Sequence, residues 1–344
     1  GTNKIIIDSN GLNYQGEDDT YTVEYDTNGE TVNIVYADAT QGWIPLDDDV
    51  VTDAPTPPPT QKAIFGMGYI GAATAITNLV NSSGVVATDT AAAAGVTARD
   101  NAPGGAGYGG DKAIFAFGGY PNSNLSNLIS NSGVVASDTA GVGTARRELT
   151  ATEYGVGLAI FGFGYVSGAV SMTNLVSYSG VVASDVTGVG TAGYGIAAAR
   201  YGGDKALFGY RGYPYKSMTN LVSNVGVVAT DTAGVGTARQ RLSAAAYGGD
   251  KAIFGFGEAP SMAITNLVSN TGVVATDTAG VGTGRSSLAA ADYGGDKAIF
   301  GFGYTGSNTG VTNLVSNSGV VASDTAAVGT ARYALTAAGY STSA

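Results

Sequence analysis

The sequence predicts an all-β protein whose larger part is a closed ring of repeated sheets. The phrase KAIFGFGY and close variants of it recur six times, at spacings of 46 to 50 residues. Apolar residues alternate within each copy, as in a β-strand. A strand missing before the first copy reappears at the C-terminal end. Four short strands per repeat is the size of a propeller blade, so residues 62–344 are expected to form a six-bladed β-propeller of four-stranded blades.

Three phrases mark each repeat. The first stands at 62–69, 112–119, 158–165, 205–212, 251–258 and 297–304. The second is TNLV, or a close variant, followed by a GVV segment. The third is close to TAGVGTAR and ends at Arg99, Arg146, Gly193, Arg239, Arg285 and Arg332. Self-similarity at a fixed period predicts one supersecondary unit built six times.

Residues 285–332 illustrate the strands expected in one repeat. Leu288–Ala291 is short and apolar, and Lys297–Gly303 alternates. Thr312–Val315 and Gly319–Asp324 are rich in β-branched residues, and Thr325–Arg332 is a weaker fourth strand. The alternation places Ala298, Phe300 and Phe302 on one face, and Ile299, Gly301 and Gly303 on the other.

This alternation also predicts how neighbouring sheets pack. Facing sheets lie ~10 Å apart. A face that carries phenylalanines needs a face of small residues opposite, and the repeated glycines provide it. Glycine is otherwise unfavourable within a strand.

The two ends of the repeat region predict ring closure. Later repeats have an apolar strand before the KAIF phrase, whereas Pro55–Thr60 precedes the first one. The terminal segment Tyr333–Tyr340 matches that missing strand and is expected to complete the first blade, which removes an exposed sheet edge. The alternative is an open β-solenoid of six turns, but a solenoid gives no reason for a strand moved from front to back.

Residues 1–53 read as a separate small β-rich module, and 54–61 as a stiff proline-rich linker. The expected strands are Lys4–Asp8, Thr20–Tyr25 and Thr31–Ala37, with a hairpin turn at Thr27–Glu30. Residues 1–60 hold twelve acidic residues and one basic residue, while the remainder has fifteen of each sign. Neither part has the clustered basic residues of a nucleic-acid binder. Trp43, the only tryptophan, is interpreted as a core anchor.

The repeat wording resembles that of known families. An arginine, a short apolar strand, Gly-Gly and an apolar strand ending in glycine resemble the kelch repeat, although the usual tryptophan is missing. The wording KAIFGFGY, TNLVSNSGVV and GVGTAR is similar to that of kelch-like repeat proteins of tailed bacteriophages. The phrase VNIVYADATQGW at 32–43 resembles a tail-fibre module that attaches a fibre or makes it oligomeric. These resemblances imply a virion structural protein, in the tail or a fibre.

The residue inventory argues against catalysis. His and Cys are absent. A zinc centre therefore has poor prospects, and a serine nucleophile would lack its histidine base. The repeats contain no Asp box of the sialidase kind. A glycosidase could still use two carboxylates, but the frequent carboxylates occupy repeat positions, as expected for architecture. No catalytic residue, metal ligand or cofactor is predicted, and no apolar run is long enough to span a bilayer.

One acidic position occurs in all six repeats. It could form a ring of cation ligands, or it could cap turns and pair with the repeated arginine. We favour the second interpretation. The residues are Asp89, Asp138, Asp185, Asp231, Asp277 and Asp324.

The loops between KAIF and TNLV differ between repeats and leave the same strand, so they are expected on one side of the ring. Their Tyr, Asn and Ser side chains suit a rigid contact surface, although unconstrained loops also vary. The candidate binding rim consists of Tyr69, Tyr120, Asn122, Asn124, Tyr165, Tyr210, Arg211, Tyr213, Tyr215, Lys216, Glu258, Tyr304 and Asn308.

The resulting expectation is an extracellular virion fibre or appendage subunit that is a homo-oligomer. Residues 1–53 would contact other virion proteins, and the propeller rim would bind another protein or a host-surface glycan. The abrupt start at Gly1 suggests processing or a longer parent protein. The alternatives are a bacterial surface or secreted adhesin and, from another class, a carbohydrate-active propeller enzyme.

Overall fold

A computed structural model describes residues 5–17, 23–25, 32–46, 61–212, 214–258 and 260–342. The chain forms two compact units, Gly1–Pro59 and Thr60–Ala344. Over the described residues every regular element is a β-strand and none is a helix. The prediction of an all-β protein is therefore confirmed.

The first unit contains two short antiparallel pairs. Strand β1 (Ile5–Ile7) pairs with β2 (Val23–Tyr25), and β3 (Ile34–Asp38) pairs with β4 (Gly42–Pro45). Trp43 packs against the small core and contacts Tyr36 edge to face, with ring centroids 5.5 Å apart. This contact agrees with its interpretation as an anchor. The turn expected at 27–30 lies outside the described residues.

The second unit is built from six three-stranded antiparallel sheets. Sheet 1 contains β22 (Thr336–Ser341), β5 (Gln61–Gly66) and β6 (Thr77–Val80), in that order. Sheets 2 to 6 each use three consecutive strands. These are β7 (Gly104–Tyr108), β8 (Lys112–Ala116), β9 (Ser126–Ile129); β10 (Thr150–Tyr154), β11 (Leu158–Tyr165), β12 (Ala169–Val176); β13 (Ala197–Tyr201), β14 (Lys205–Arg211), β15 (Lys216–Val222); β16 (Ser243–Tyr247), β17 (Lys251–Gly255), β18 (Thr265–Val268); β19 (Ala289–Tyr293), β20 (Lys297–Tyr304) and β21 (Asn308–Val315).

The first strands of the sheets, called the inner strands, contact one another in a closed cycle. The order is β7, β10, β13, β16, β19 and β22, and β22 in turn contacts β7. The C-terminal strand pairs with β5 in the register Ala337↔Phe65. The predicted return of the C-terminal segment to the first sheet is thus confirmed, and the arrangement is consistent with the blades of a propeller.

The outer part of the repeat corrects the prediction, because neither Gly319–Asp324 nor the expected fourth strand Thr325–Arg332 is a regular strand. After β21, the chain touches that strand again through only two isolated bridges, Val315↔Val321 and Thr312↔Thr325. The two bridged residues are three positions apart in β21 but four positions apart in the outer segment, so no regular ladder forms. Between the two bridges, the Ala322 carbonyl accepts a hydrogen bond from a side chain, Asn313 Nδ2, at 3.0 Å. Each repeat therefore has three strands and one irregular outer segment.

Phenylalanine and glycine do meet between sheets, as predicted. A Cβ placed on Gly301 would lie 2.6 Å from the Phe65 ring of sheet 1, and one on Gly255 would lie 2.7 Å from Phe300. The expected shared face of Phe300 and Phe302 is wrong, however. Phe302 has φ 61° and lies in a bulge. The bulge turns its ring towards the next sheet, where it contacts Phe65 with ring centroids 5.2 Å apart.

A buried arginine joins neighbouring sheets. Arg239 is fully buried, and its Nε donates to the Phe256 carbonyl at 2.7 Å while a terminal nitrogen donates to Asn266 Oδ1 at 2.8 Å. Its guanidinium also lies 4.4 Å from the centre of the Tyr210 ring. Burial lowers the pKa of Arg239. Such a group is stable in the interior because each of its three nitrogens donates a hydrogen bond.

One sheet obtains this arginine from another position. The third repeat carries Gly193 where the others have arginine, and a Cβ on Gly193 would lie 2.8 Å from the Arg211 side chain. Arg211 donates to the Thr191 carbonyl and to Asn220, the partners that correspond to those of Arg239. In the other repeats glycine occupies the position of Arg211. Arginine and glycine have thus exchanged places with the guanidinium in the same site.

The repeated aspartate links adjacent repeats. Asp277 accepts hydrogen bonds from the Thr237 backbone N–H at 3.1 Å, from Thr237 Oγ1 at 2.6 Å and from Asn266 Nδ2 at 2.8 Å. Burial alone would raise the pKa of Asp277, but these hydrogen bonds outweigh it and hold the pKa below its usual value. The geometry supports the architectural interpretation of this position.

The ring has two faces that differ in chain connectivity. The inner strands begin at what we call the front face and end at the back face. The loops between second and third strands lie on the front, and the turns between first and second strands on the back. Gln61 and Ser341 are paired neighbours on the back face. The ring segment of the chain therefore enters and leaves at the back.

Candidate binding face

The front face is assembled from two sets of residues that vary between repeats. One set is the predicted loops. The other is the two residues that follow each repeated arginine. Isolated bridges join the sets, for example Arg147↔Tyr165 and Tyr69↔Tyr333. The fold thereby brings the positions that differ most between repeats to one surface.

Arg147 is the centre of one aromatic group. Its guanidinium lies 4.6 Å from the centre of the Tyr165 ring and 5.4 Å from that of Tyr120. It donates to Asn122 Oδ1 at 2.8 Å. Tyr120 is 78% exposed, and Tyr194 contacts Tyr165 edge to face. An exposed tyrosine side chain whose orientation is fixed by a neighbouring guanidinium can contact a ligand.

Tyr333 is the centre of a second group. Its ring centroid lies 5.4 Å from that of Tyr69 and 5.2 Å from that of Tyr304. Asn308 Nδ2 donates to the Tyr69 carbonyl at 3.3 Å, which fixes the loop beside it. This tyrosine trio, Tyr69, Tyr304 and Tyr333, extends from the rim towards the ring axis.

The remaining predicted rim residues have different positions. Glu258 pairs with Arg241 at 3.1 Å. Asn124 donates to the Gly143 carbonyl at 2.7 Å. Tyr215 is 40% exposed beside the half-buried Lys216, and Tyr213 lies outside the described residues.

Two predicted rim residues are corrected by the structure. Tyr210 and Arg211 are buried, because they occupy the bulge and the arginine site of their sheet. Neither contributes to an accessible surface.

A cavity of about 210 Å³ lies on the ring axis at the front. We call it the axial cavity. Its wall carries Asn101, Glu148, Arg241, Ser287 and Tyr333. Its floor is aliphatic and consists of Leu149, Ile196, Leu242, Leu288 and Leu335. Glu148 Oε2 lies 3.5 Å from Arg241 Nε. Glu148 and Glu258 raise the pKa of Arg241 against the opposing effect of burial, so this guanidinium stays charged.

The wall of the axial cavity is held by a cycle of backbone hydrogen bonds. Glu148 N–H donates to the Asn101 carbonyl at 2.8 Å, and Gly195 N–H donates to Glu148 at 2.9 Å. The series continues through Arg241, Ser287 and Ala334 in the three remaining repeats and returns with Ala102 N–H donating to the Ala334 carbonyl at 3.0 Å. The residues of this cycle have φ between 49° and 60°. Such strained backbone persists where its surroundings fix it.

The inner strands line a channel along the ring axis. Three charged side chains lie at its back end. Arg200 lies 2.9 Å from Asp292 and 3.6 Å from Glu153. Glu153 keeps 30% of its side chain exposed to the channel, yet lies deep within the ring. Burial raises its pKa to about 7, the charge of Asp292 adds to this, and Arg200 opposes it. Arg200 is held mainly by Asp292, which leaves Glu153 as the weakly paired carboxylate.

Sequence reasoning missed Arg147, Glu148, Tyr194, Arg241 and Tyr333. They all belong to the dipeptides that follow the repeated arginine. These dipeptides read DN, RE, YG, QR, SS and YA, so they differ between repeats while the flanking residues hardly change. That contrast was visible in the sequence and could have identified them.

Two classes of feature are not found in the described part of the chain. No group of three or more acidic, His or Cys side chains is placed to hold a metal ion there. Within the same residues, no helix has the length and apolarity to cross a membrane.

Comparison with known proteins gives the fold only. No protein-family model and no curated protein matches the chain. A solved structure of a protein of unknown function from Bacteroides caccae is similar, with 12% identity and a TM-score of 0.50. The similarity covers 81% of this chain and 98% of the other. At this identity the similarity supports the all-β architecture of repeated sheets and says nothing about activity.

Proposed function

We propose that the chain is a structural display subunit whose ring, a six-bladed kelch-like β-propeller closed by its C-terminal strand, binds a host-surface glycan through the front face. The observation that carries this proposal is the gathering of variable residues on one face. Tyrosines with neighbouring Arg and Asn donors suit a ligand that has both apolar ring faces and hydroxyl groups.

The connectivity of the ring supports a display role. Both described ends of the ring segment lie on the back face, at Gln61 and Ser341. These ends and the variable loops therefore lie on opposite faces of the ring. On the sequence resemblance, the particle is a tailed phage, the subunit belongs to an extracellular fibre or appendage, and residues 1–53 provide oligomerisation and contacts to other virion proteins.

The geometry favours binding over catalysis. The two front carboxylates nearest the axis, Glu148 and Glu258, both face Arg241. A glycosidase needs one carboxyl that holds a proton and one that stays ionised. That division of roles needs two carboxyl groups with unlike surroundings, whereas Glu148 and Glu258 face the same guanidinium, so this pair suits fixing the wall of a site.

The test is a glycan array probed with the full chain. We expect selective binding to a few glycans, which Tyr120→Ala and Arg147→Ala weaken at least tenfold. Incubation of the bound glycans with the protein should release no reducing sugar. Absence of binding to any glycan would contradict the proposal, and release of reducing sugar would favour a carbohydrate-active enzyme. Binding only to purified host-surface protein would favour a protein receptor.

A further inference from the structure

The axial cavity has the size of one small polar ring. Its volume is about 210 Å³. Pockets for drug-sized ligands begin near ~300 Å³. The cavity is therefore too small for an extended oligosaccharide and suits a single residue.

Its lining is apolar on one side and polar on the other. Five aliphatic side chains, among them Leu242 and Leu288, form the floor. Asn101, Arg241 and Ser287 stand in the wall above them. A pyranose ring has the same division, with C–H groups on its faces and hydroxyl groups at its edge. Burying its faces on leucine while its hydroxyls meet polar side chains avoids unpaired polar groups.

The charges around the cavity select against anions. Arg241 is flanked by Glu148 at 3.5 Å and by Glu258 at 3.1 Å, so the three side chains carry one net negative charge. The Arg241 side chain is 40% exposed. A guanidinium has five N–H donors, and the two carboxylates face only its Nε and one terminal nitrogen. The other donors can bind neutral hydroxyl or amide oxygens.

We propose that the axial cavity binds one neutral sugar residue, a hexose or an N-acetylhexosamine, at the end of the recognised glycan. This inference rests on the proposed function and names the anchoring site within it. Tyr333 lines the cavity and contacts Tyr69 and Tyr304, so the next residues of the glycan would continue over the tyrosine trio. The backbone cycle preorganises the wall, which lowers the entropy cost of binding.

The experiment titrates the full chain with single sugars, followed by saturation-transfer NMR. The probes are glucose, galactose, mannose, N-acetylglucosamine, N-acetylgalactosamine and glucuronate. We expect at least one neutral sugar to bind, and glucuronate to bind at least tenfold more weakly. Ser287→Phe fills the cavity, and Arg241→Gln removes the positive charge. Each variant should lower the affinity for the neutral sugar at least tenfold. Lys251→Gln, which removes a 45% exposed cation from a back turn, is the control and should change its affinity less than twofold.

The outcomes separate this inference from the function it rests on. Absence of binding by every neutral sugar, or equal binding by all variants, overturns the axial site. If array glycans still bind the wild type and bind the rim variants more weakly, the proposed function stands without this anchoring site. If no array glycan binds, both fail. Should Ser287→Phe not fold, Arg241→Gln decides.

Discussion

The front and back faces of the ring are built from the same repeat, yet the front varies more between repeats than the back. On the back, Gly110-Asp111-Lys112 recurs as Gly203-Asp204-Lys205 and twice more, and the GVV turns scarcely change. On the front, both the loops and the dipeptides beside them differ from repeat to repeat. Between the faces, the aspartate sites recur with the same kinds of partner, and every repeat keeps a fully buried arginine. The difference teaches that repeated residues maintain the ring, whereas residues that depart from the repeat are available for recognition.

The largest expected effect is on the maintained part of the ring. Arg239→Ala leaves Asn266 and the Phe256 carbonyl without their donor and removes the guanidinium from the Tyr210 ring. Removing one partner from a buried charged network costs about 3–5 kcal/mol. Urea unfolding should show a loss of this size. A loss below about 1 kcal/mol would mean that the repeated arginine does not hold the sheets together.

In the fourth sheet the guanidinium comes from Arg211 and not from the usual position of the repeated arginine. This exchange tests whether stability depends on filling the buried site or on the sequence position that fills it. Arg211→Gly alone should destabilise the protein about as much as Arg239→Ala, roughly 3–5 kcal/mol. Adding Gly193→Arg restores the common pattern and should recover most of that loss. If the double variant were as unstable as Arg211→Gly, the two positions would not deliver the guanidinium to one site.

A smaller effect is expected at the aspartate that links repeats. Asp277→Asn keeps the shape of the side chain but weakens its bonds to Thr237, and hydrogen bonds to a charged group contribute about 1.5–3 kcal/mol. Because folding lowers the pKa of Asp277, its contribution is present above the usual carboxylate pKa and is lost as pH falls through the lowered value. Wild type and variant should therefore converge in stability in strong acid, as measured by thermal unfolding between pH 2 and pH 7. A constant difference over that range would contradict this.

Front-face substitutions should weaken glycan binding and leave the stability of the protein nearly unchanged. Tyr120→Ala removes an exposed ring, so its unfolding free energy should stay within about 0.5 kcal/mol of wild type. Its glycan binding should fall at least tenfold. Tyr178→Ala is the matched control, since Tyr178 is a 56% exposed tyrosine of the back face. Glycan affinity should not change in that variant, and an equal loss in both would remove the distinction between faces.

The smallest effect is expected at the back end of the channel. Folding raises the pKa of Glu153 to about 7, so the stability contributed by its neutral form is complete below pH 4.5 and is lost as pH rises through 7. Channel water screens the site, so the total should be only about 1 kcal/mol. Glu153→Gln should remove this decline from a stability profile between pH 4 and pH 8. An unchanged profile would show that Glu153 titrates normally.

Much of the ring was predictable from sequence because its signals are local and repeated. Period-two alternation identified the KAIF strands, and the displaced Tyr333–Tyr340 segment identified the partner of the first sheet. The fourth strand was wrong because Asn313 takes a backbone partner, which alternation cannot reveal. Phe302 was misplaced because it has left-handed backbone within a bulge, which interrupts the alternation of side-chain directions.

The binding face was predictable only in part. The loops were recognised as variable, but Arg211 looked like a loop residue because its exchange with Gly193 depends on contacts between distant positions. The sequence shows that Tyr333 and Arg241 stand at positions that vary between repeats, but only the bridges of the fold place these positions beside the loops. Three-dimensional pairing of variable positions was the absent information.

Hydrogen–deuterium exchange with the strongest-binding array glycan tests the central claim most directly. The account predicts slower exchange in the front segments 119–125, 147–148 and 165–169, and around Tyr333, with no change in the back turns at 109–112, 202–205 and 248–251. Protection confined to the back turns, or spread evenly over both faces, would contradict it.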